Sequence, residues 1–454
     1  MPQLEAGAAK VTITPYVGAY MAGFAGRDHG CEGIHDDLHA RALVLQAGDT
    51  TVGLVACDLI GLSPESVARV RERVEAETDI AADHVMVGCT HTHSGPTVGP
   101  LRHPGLDTEL VHVLERKIAG AVIAASRSMG EAAMGVGKGT TCIGINRRER
   151  YQGGGMRLGR NPSGPIDPEI GVLRVDGPDG HPLVLAATHS CHPVVLGGSN
   201  YFISADYPGQ VAAVVETVHP GAICPWFQGT CGNINSDPVG RTFEDARRLG
   251  VVAGSAVLQV AEGIDTQADV SLAVQHVVVE APLAELPPAD ELRQMLEARE
   301  REIARQLAEG KLSQVRHDHD LQVLWARDAL REHEKGELRT TRSVELQALR
   351  LGDALLITTP GETFVEIGLA IKAASPLPNT FVLGYTNGNV GYIQTAAAFG
   401  EGGYEVASAY KFYGIYNFAP GVEQVVTDAG IALAKQMGRE ESHAEAAEGA
   451  EEEE

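Results

Sequence analysis

Over the first 260 residues, short apolar runs suited to buried strands alternate with segments whose apolar residues recur at helical spacing, which restricts the chain to a layered α/β architecture. Ala42 to Gln46 and Thr51 to Cys57, separated by the turn-forming AGDT, read as a hairpin. SPESVARVRERVEAETDI reads as an amphipathic helix with Ser63 or Glu65 near its start, and His84 onward, VMVGCT, as a strand. A helix over 108–129, a strand pair at 170–176 and 183–188, a helix over 207–218, a buried strand at 221–228 and a helix over 243–260 continue the pattern. Strand returns at 268–279. The 287–336 stretch, dense in Glu, Arg, Gln, Ala and Leu, predicts one or two exposed helices inserted between strands. SVELQALRLGDALLITT then alternates through a GD turn as a second hairpin, followed by a helix over 363–374 and the strand FVLGYTN. With no internal repeat and no clear linker, we expect one mixed-sheet α/β domain over 1–438 carrying that helical insert.

The formal charge of −24 disfavours nucleic acid or an anionic membrane as partner, since either would be repelled unless a local basic patch intervened. Part of the charge is local: from Glu440 to Glu454 there are eight glutamates and no Lys or Arg, so 439–454 is expected to be a solvated, disordered acidic tail. Seven cysteines, scattered without a CxxC pair, predict reduced core thiols. No basic-then-apolar leader opens the sequence and no apolar run suffices for a transmembrane segment, so a cytoplasmic protein is the expectation.

Chemistry concentrates at strand ends. In HVMVGCTHTHSGP, alternation along a strand would carry His91 and His93 to one side, where SGP opens a loop. Neutral imidazoles are common zinc ligands, although one HxH is a weak signal that structural histidines also produce. THSCHP offers His189 and His192, and the Gly- and Asn-rich WFQGTCGNINS could turn backbone N–H groups toward an oxyanion or be a tight turn. In TPGETF, Glu362 lies where it could cap a helix or serve a site. Histidines and a carboxylate at strand ends are what an open zinc site would use.

Taken in order, GIHDDLHARALVL, GCTHTHSGP, GINRR, HSCHP with ISAD, QGTCGNINS, TPGETF and GYTNGNVGYIQT…GGYEVAS resemble the neutral, non-lysosomal ceramidase family, from about Gly7 to about Tyr413. The resemblance implies one catalytic Zn2+ on His91, His192, Glu362 and Tyr392, the last in preference to Tyr404 because of its place in GYIQT. It implies catalytic roles near the substrate for His93, as a proton relay, and for Arg147, as a fixed cation. Asp206 is expected to orient a ligand or to cap a helix. The family's serine falls on Asn235 without a gap and on Ser236 with a one-residue shift, which favours metal-activated water over a serine nucleophile. The implied activity is cleavage of an N-acyl amide, with a lipid or smaller soluble amide as the substrate partner. Ester, lactone or phosphoester hydrolysis, the last with a second metal near Asp58 and Asp206, and a non-catalytic metal-stabilised binding module are the rival readings.

Overall fold

The computed structural model describes residues 3–99, 101–102, 105–151, 153–312, 320–336 and 338–451, with side chains described as far as Arg439. It is a mixed α/β fold assembled from several sheets, as expected from the alternating pattern. A five-stranded sheet has the order Val85–Cys89, Thr50–Cys57, His39–Ala47, Glu5–Thr12, Gly130–Glu131. One four-stranded sheet runs Trp226–Gln228, Pro182–His189, Glu169–Asp176, Ala133–Thr140, and another Leu272–Pro282, Thr341–Leu351, Ala354–Thr358, Asn379–Leu383. Ile234–Ser236, Gly144–Arg150 and Met156–Asn161 form a smaller three-stranded sheet.

Local chemistry explains the elements. Both expected hairpins close through a two-residue Gly-Asp turn, with Gly48 at φ 56° and Gly352 at φ 60°, the left-handed conformation such turns demand. The helix Pro64–Glu77 starts where Ser63 accepts from the Ser66 N–H, and Phe243–Ala261 starts at a capping box between Thr242 and Asp245. Two expectations need trimming. The run at 221–228 pairs with Pro182–His189 from Ile223 onward, through a bridge to Val184 and then the ladder Trp226–Gln228, and the strand after Phe243–Ala261 begins at Leu272.

Each of the three larger sheets contains a parallel pair joined by a crossover helix. Thr50–Cys57 passes through Pro64–Glu77 to Val85–Cys89; Pro182–His189 through Asp206–Val218 to Trp226–Gln228; Ala354–Thr358 through Val365–Ala374 to Asn379–Leu383. Parallel strands need such crossovers, which bury both faces and account for their Val-, Ile- and Ala-rich runs. The three second strands converge: Cys89 N–H donates to Tyr385 O, Asn387 N–H to Val87 O, and Gly384 N–H to Gln228 O. Their carboxyl ends therefore face a common place.

The 287–336 segment is a pair of helices, Ala289–Ala308 and Leu321–Lys335. The last helix, Val422–Glu451, packs its buried Val422, Val426, Leu433 and Met437 on the third sheet and crosses the boundary expected at 439. Side chains of the glutamate tail lie outside the described residues. Among the described residues no helix is long and apolar enough to cross a membrane, and all seven cysteines are free.

Candidate metal centre

His91 follows the strand Val85–Cys89, but not as a continuation of it. Its φ of 66° is left-handed, so a turn, and not strand alternation, aims its ring. That corrects the period-two expectation while keeping its result: His93 Nε2 stands 3.1 Å from His91 Nε2. His192 follows Pro182–His189, and Glu362 follows Ala354–Thr358 through Pro360 and Gly361. Glu362 lies in a two-residue strand paired with Tyr392–Ile393 and does not cap the next helix, whose N-cap is Phe364.

The side chains converge. Glu362 Oε2 is 3.0 Å from His192 Nε2 and 3.5 Å from His91 Nε2, and the ring nitrogens of His91, His93 and His192 lie within 4.8 Å of one another. His189 is excluded: its Nδ1 meets Glu169 O, away from the cluster.

Hydrogen bonding fixes the state of each ring. His91 Nδ1 is 2.5 Å from Ile60 O, His93 Nδ1 is 3.1 Å from Gly23 O, and His192 Nδ1 is 2.7 Å from Cys231 O. A carbonyl only accepts, so each Nδ1 carries the proton, and a neutral ring then presents its Nε2 lone pair inward. Burial pushes His93 well below the ordinary imidazole range, and burial with the Arg147 charge brings His192 to about 4, so both are neutral near pH 7. Burial raises the Glu362 carboxyl, and only positive charge beside it, on His91 and His192 if protonated, offsets that; with neutral rings a cation in the cluster would have to supply that charge. Inward lone pairs beside a buried carboxylate repel one another unless a cation lies among them. The donor set fits a divalent metal, and three imidazoles with a carboxylate fit zinc chemistry.

Arg147, on Gly144–Arg150, lies beside the cluster. Its Nη1 is 3.3 Å from His192 Nε2 and donates to Asn235 Oδ1 at 3.1 Å; Nη2 donates to Tyr392 Oη at 2.8 Å, and Nε to Glu405 at 2.9 Å. Glu405 also binds Arg148 at 2.8 Å, making a buried double ion pair. Tyr392 is thus at the site through Arg147, and Tyr404 lines the same cleft. Tyr413, which the motifs did not single out, donates to Glu362 Oε1, and Tyr385 stacks on His91 with ring centres 4.0 Å apart. Glu405 and Tyr385 fall within the motifs GGYEVAS and GYTNGNVGYIQT; no local signal marks Tyr413.

Three expectations change. Gly232 N–H donates to Thr363 O, so it is not available to an oxyanion. Its glycine is required for close approach, because a Cβ there would meet Glu362 O at 2.3 Å. Asp206 contacts no candidate ligand: its carboxylate accepts from the Leu196 and Tyr207 N–H groups, and burial raises it to about 7. It braces the loop that follows His192. Asp58 is committed to Arg41 at 2.9 Å and to the His39 N–H, which removes the carboxylate proposed for a second metal. Ser236 is buried beside the cleft, and its Oγ donates to Pro238 O at 3.1 Å.

The cluster opens into a cleft of about 580 Å³, lined among others by His93, Arg147, Ser236, Glu362, Tyr392 and Tyr413. Residues 4–229 match the family model described as "Neutral/alkaline non-lysosomal ceramidase, N-terminal". The fold resembles a solved neutral ceramidase from Pseudomonas aeruginosa, with TM-score 0.70 and 17% identity over 96% of this chain and 75% of that one. A structure titled "Ceramidase complexed with C2" matches with the same TM-score and identity, over 96% of this chain and 76% of that one.

Proposed function

We propose, from the premise that this chain belongs to the neutral/alkaline non-lysosomal ceramidase family, that it is a zinc-dependent hydrolase of N-acyl amide bonds. One observation carries the reading: three imidazole Nε2 atoms and the Glu362 carboxylate converge at the floor of a cleft, each Nδ1 tied back to a carbonyl. His91, His192 and Glu362 would hold the ion, with Tyr392 as the further ligand the family resemblance suggests. A bound zinc would supply Lewis acidity, polarising the scissile carbonyl and making water more acidic.

The chain's own groups supply the rest. Arg147 is held rigid by Glu405, Asn235 and Tyr392, so its guanidinium offers a fixed positive charge where the carbonyl oxygen becomes an anion. His93, neutral and facing the cleft, accepts a proton from the attacking water and returns it to the departing amine. Ser236 Oγ donates its proton to Pro238 O and, among the described residues, hydrogen-bonds to no base, which favours water as nucleophile. A hydrophobic lining that includes Ile60, Leu101, Ile145 and Leu158 suits an acyl chain.

The test compares zinc-loaded and metal-stripped protein on a panel of N-acyl amides, ceramides, esters and lactones, with zinc content measured alongside. His91→Ala and His192→Ala should lose zinc and amide hydrolysis together, and Arg147→Lys should keep zinc but lose turnover. Full activity in either histidine variant would sink the assignment.

A further inference from the structure

A chain with 60 acidic and 36 basic residues has little reason to gather cations in its candidate substrate cleft. Yet that cleft is lined by Arg102, Arg147, Arg160 and Arg241 against the carboxylates of Asp237 and Glu362 alone. Three of these arginines are accounted for. Arg147 is bound by Glu405, Arg102 by Asp328, and Arg160 donates to Asp237 at 2.5 Å.

Arg241 differs. Its side chain is exposed at the cleft and makes no hydrogen bond or ion pair among the described residues. The nearest acid along the chain to feel its charge, Asp245, is already engaged by Thr242 in the capping box. The backbone of Arg241 is nevertheless fixed: its N–H donates to Val195 O at 2.6 Å, and Arg241 pairs with Leu196 in an isolated bridge. Val195 is three residues beyond His192, a span of at most about 11 Å of chain. A tethered, unpaired guanidinium therefore lines the same cleft as His93, Arg147 and Glu362, where it can meet the far end of a substrate whose amide lies at the cluster. Val194 and Val239 line the same cleft.

We propose that Arg241 is a specificity residue that binds an anionic group, a carboxylate or a phosphate, carried by the substrate several atoms from the amide. The planar fork of arginine matches both oxyanions through paired hydrogen bonds. This inference rests on the amide-hydrolase reading and narrows it, from neutral lipid amides to amides with a charged end.

Matched pairs of substrates differing in one charge test it. These are N-dodecanoyl aminohexanoate against its primary amide, N-dodecanoyl aminohexyl phosphate against the alcohol, and the monoamide of a long dicarboxylic acid against its diamide. The zinc-loaded protein should favour the anionic member of at least one pair by roughly ten- to hundredfold in kcat/KM. Arg241→Ala should abolish that preference by raising KM for the anion while leaving the neutral member unchanged; which pair responds tells carboxylate from phosphate and the acyl side from the amine side. Because the side chain is exposed and unbonded, the variant should melt with the parent. Equal turnover within every pair, or a preference that survives Arg241→Ala, overturns the proposal. If the parent hydrolyses none of these amides, the hydrolase reading fails by itself, and calorimetric binding to that same protein decides: anion binding lost in Arg241→Ala supports the subsite, and no anion binding refutes it.

Discussion

Among single residues, Gly23 shows how closely the candidate metal centre is enclosed. Its carbonyl holds His93 Nδ1, its φ is 96°, and a Cβ built on it would lie 2.6 Å from the His93 ring. Arg27 secures the same corner, donating to the carbonyls of Ala22 and His93. Gly23→Ala should therefore fold but push His93 aside. Since misplacing a reacting group by about 1 Å can cost on the order of a hundredfold in rate, amide turnover should fall by about that factor. Zinc content should stay near that of the parent, because His91, His192 and Glu362 are not displaced. A parallel loss of zinc would instead make His93 a ligand. The histidines and Glu362 were legible because each ends a recognisable strand-and-loop motif. Tyr413 was not, since it reaches Glu362 from 51 positions away, and no local periodicity encodes a side chain that folds back over a cleft.

At the level of elements, the inserted helices Ala289–Ala308 and Leu321–Lys335 brace one wall of the cleft. Trp325 donates from Nε1 to Ile415 O at 2.8 Å, packs edge-on against Tyr410 and lies under Lys411 at 4.5 Å. Arg102 joins both sides, donating its N–H to Phe412 O and its guanidinium to Asp328. The segment so held carries Tyr413. Trp325→Ala leaves a cavity and an unpaired Ile415 carbonyl, costing about 3–5 kcal/mol. Thermal denaturation should show that loss, and kcat should fall with it because Tyr413 loses its support; unchanged kinetics on a destabilised protein would make the insert a stabiliser only. The helical character of this stretch could be read from its composition, and the hairpins from their Gly-Asp turns. Which strand pairs with which could not, because a period of two states which face is buried but not which neighbour covers the edge. The division into separate sheets follows from long-range contacts such as Gly384 N–H to Gln228 O, which leave no trace in local pattern.

For the whole molecule, the three βαβ units belong to three different sheets, and each contributes to the candidate metal centre: His91 follows the first, His192 lies between the strands of the second, and Glu362 between those of the third. A cation held among them would tie the sheets together where like lone pairs otherwise face one another. Zinc should therefore bind the folded chain far better than the unfolded one, and a ligand present at a hundred times its dissociation constant adds about 2.7 kcal/mol of stability. In a chain of 454 residues that corresponds to a rise in Tm of roughly a few degrees. Removing metal with a chelator should lower Tm by that amount, and adding zinc back should restore it. His192→Ala should melt at one temperature with or without chelator, because the ion has already been lost. A chelator shift that persists in His192→Ala would place the stabilising ion elsewhere in the fold and separate it from the cleft.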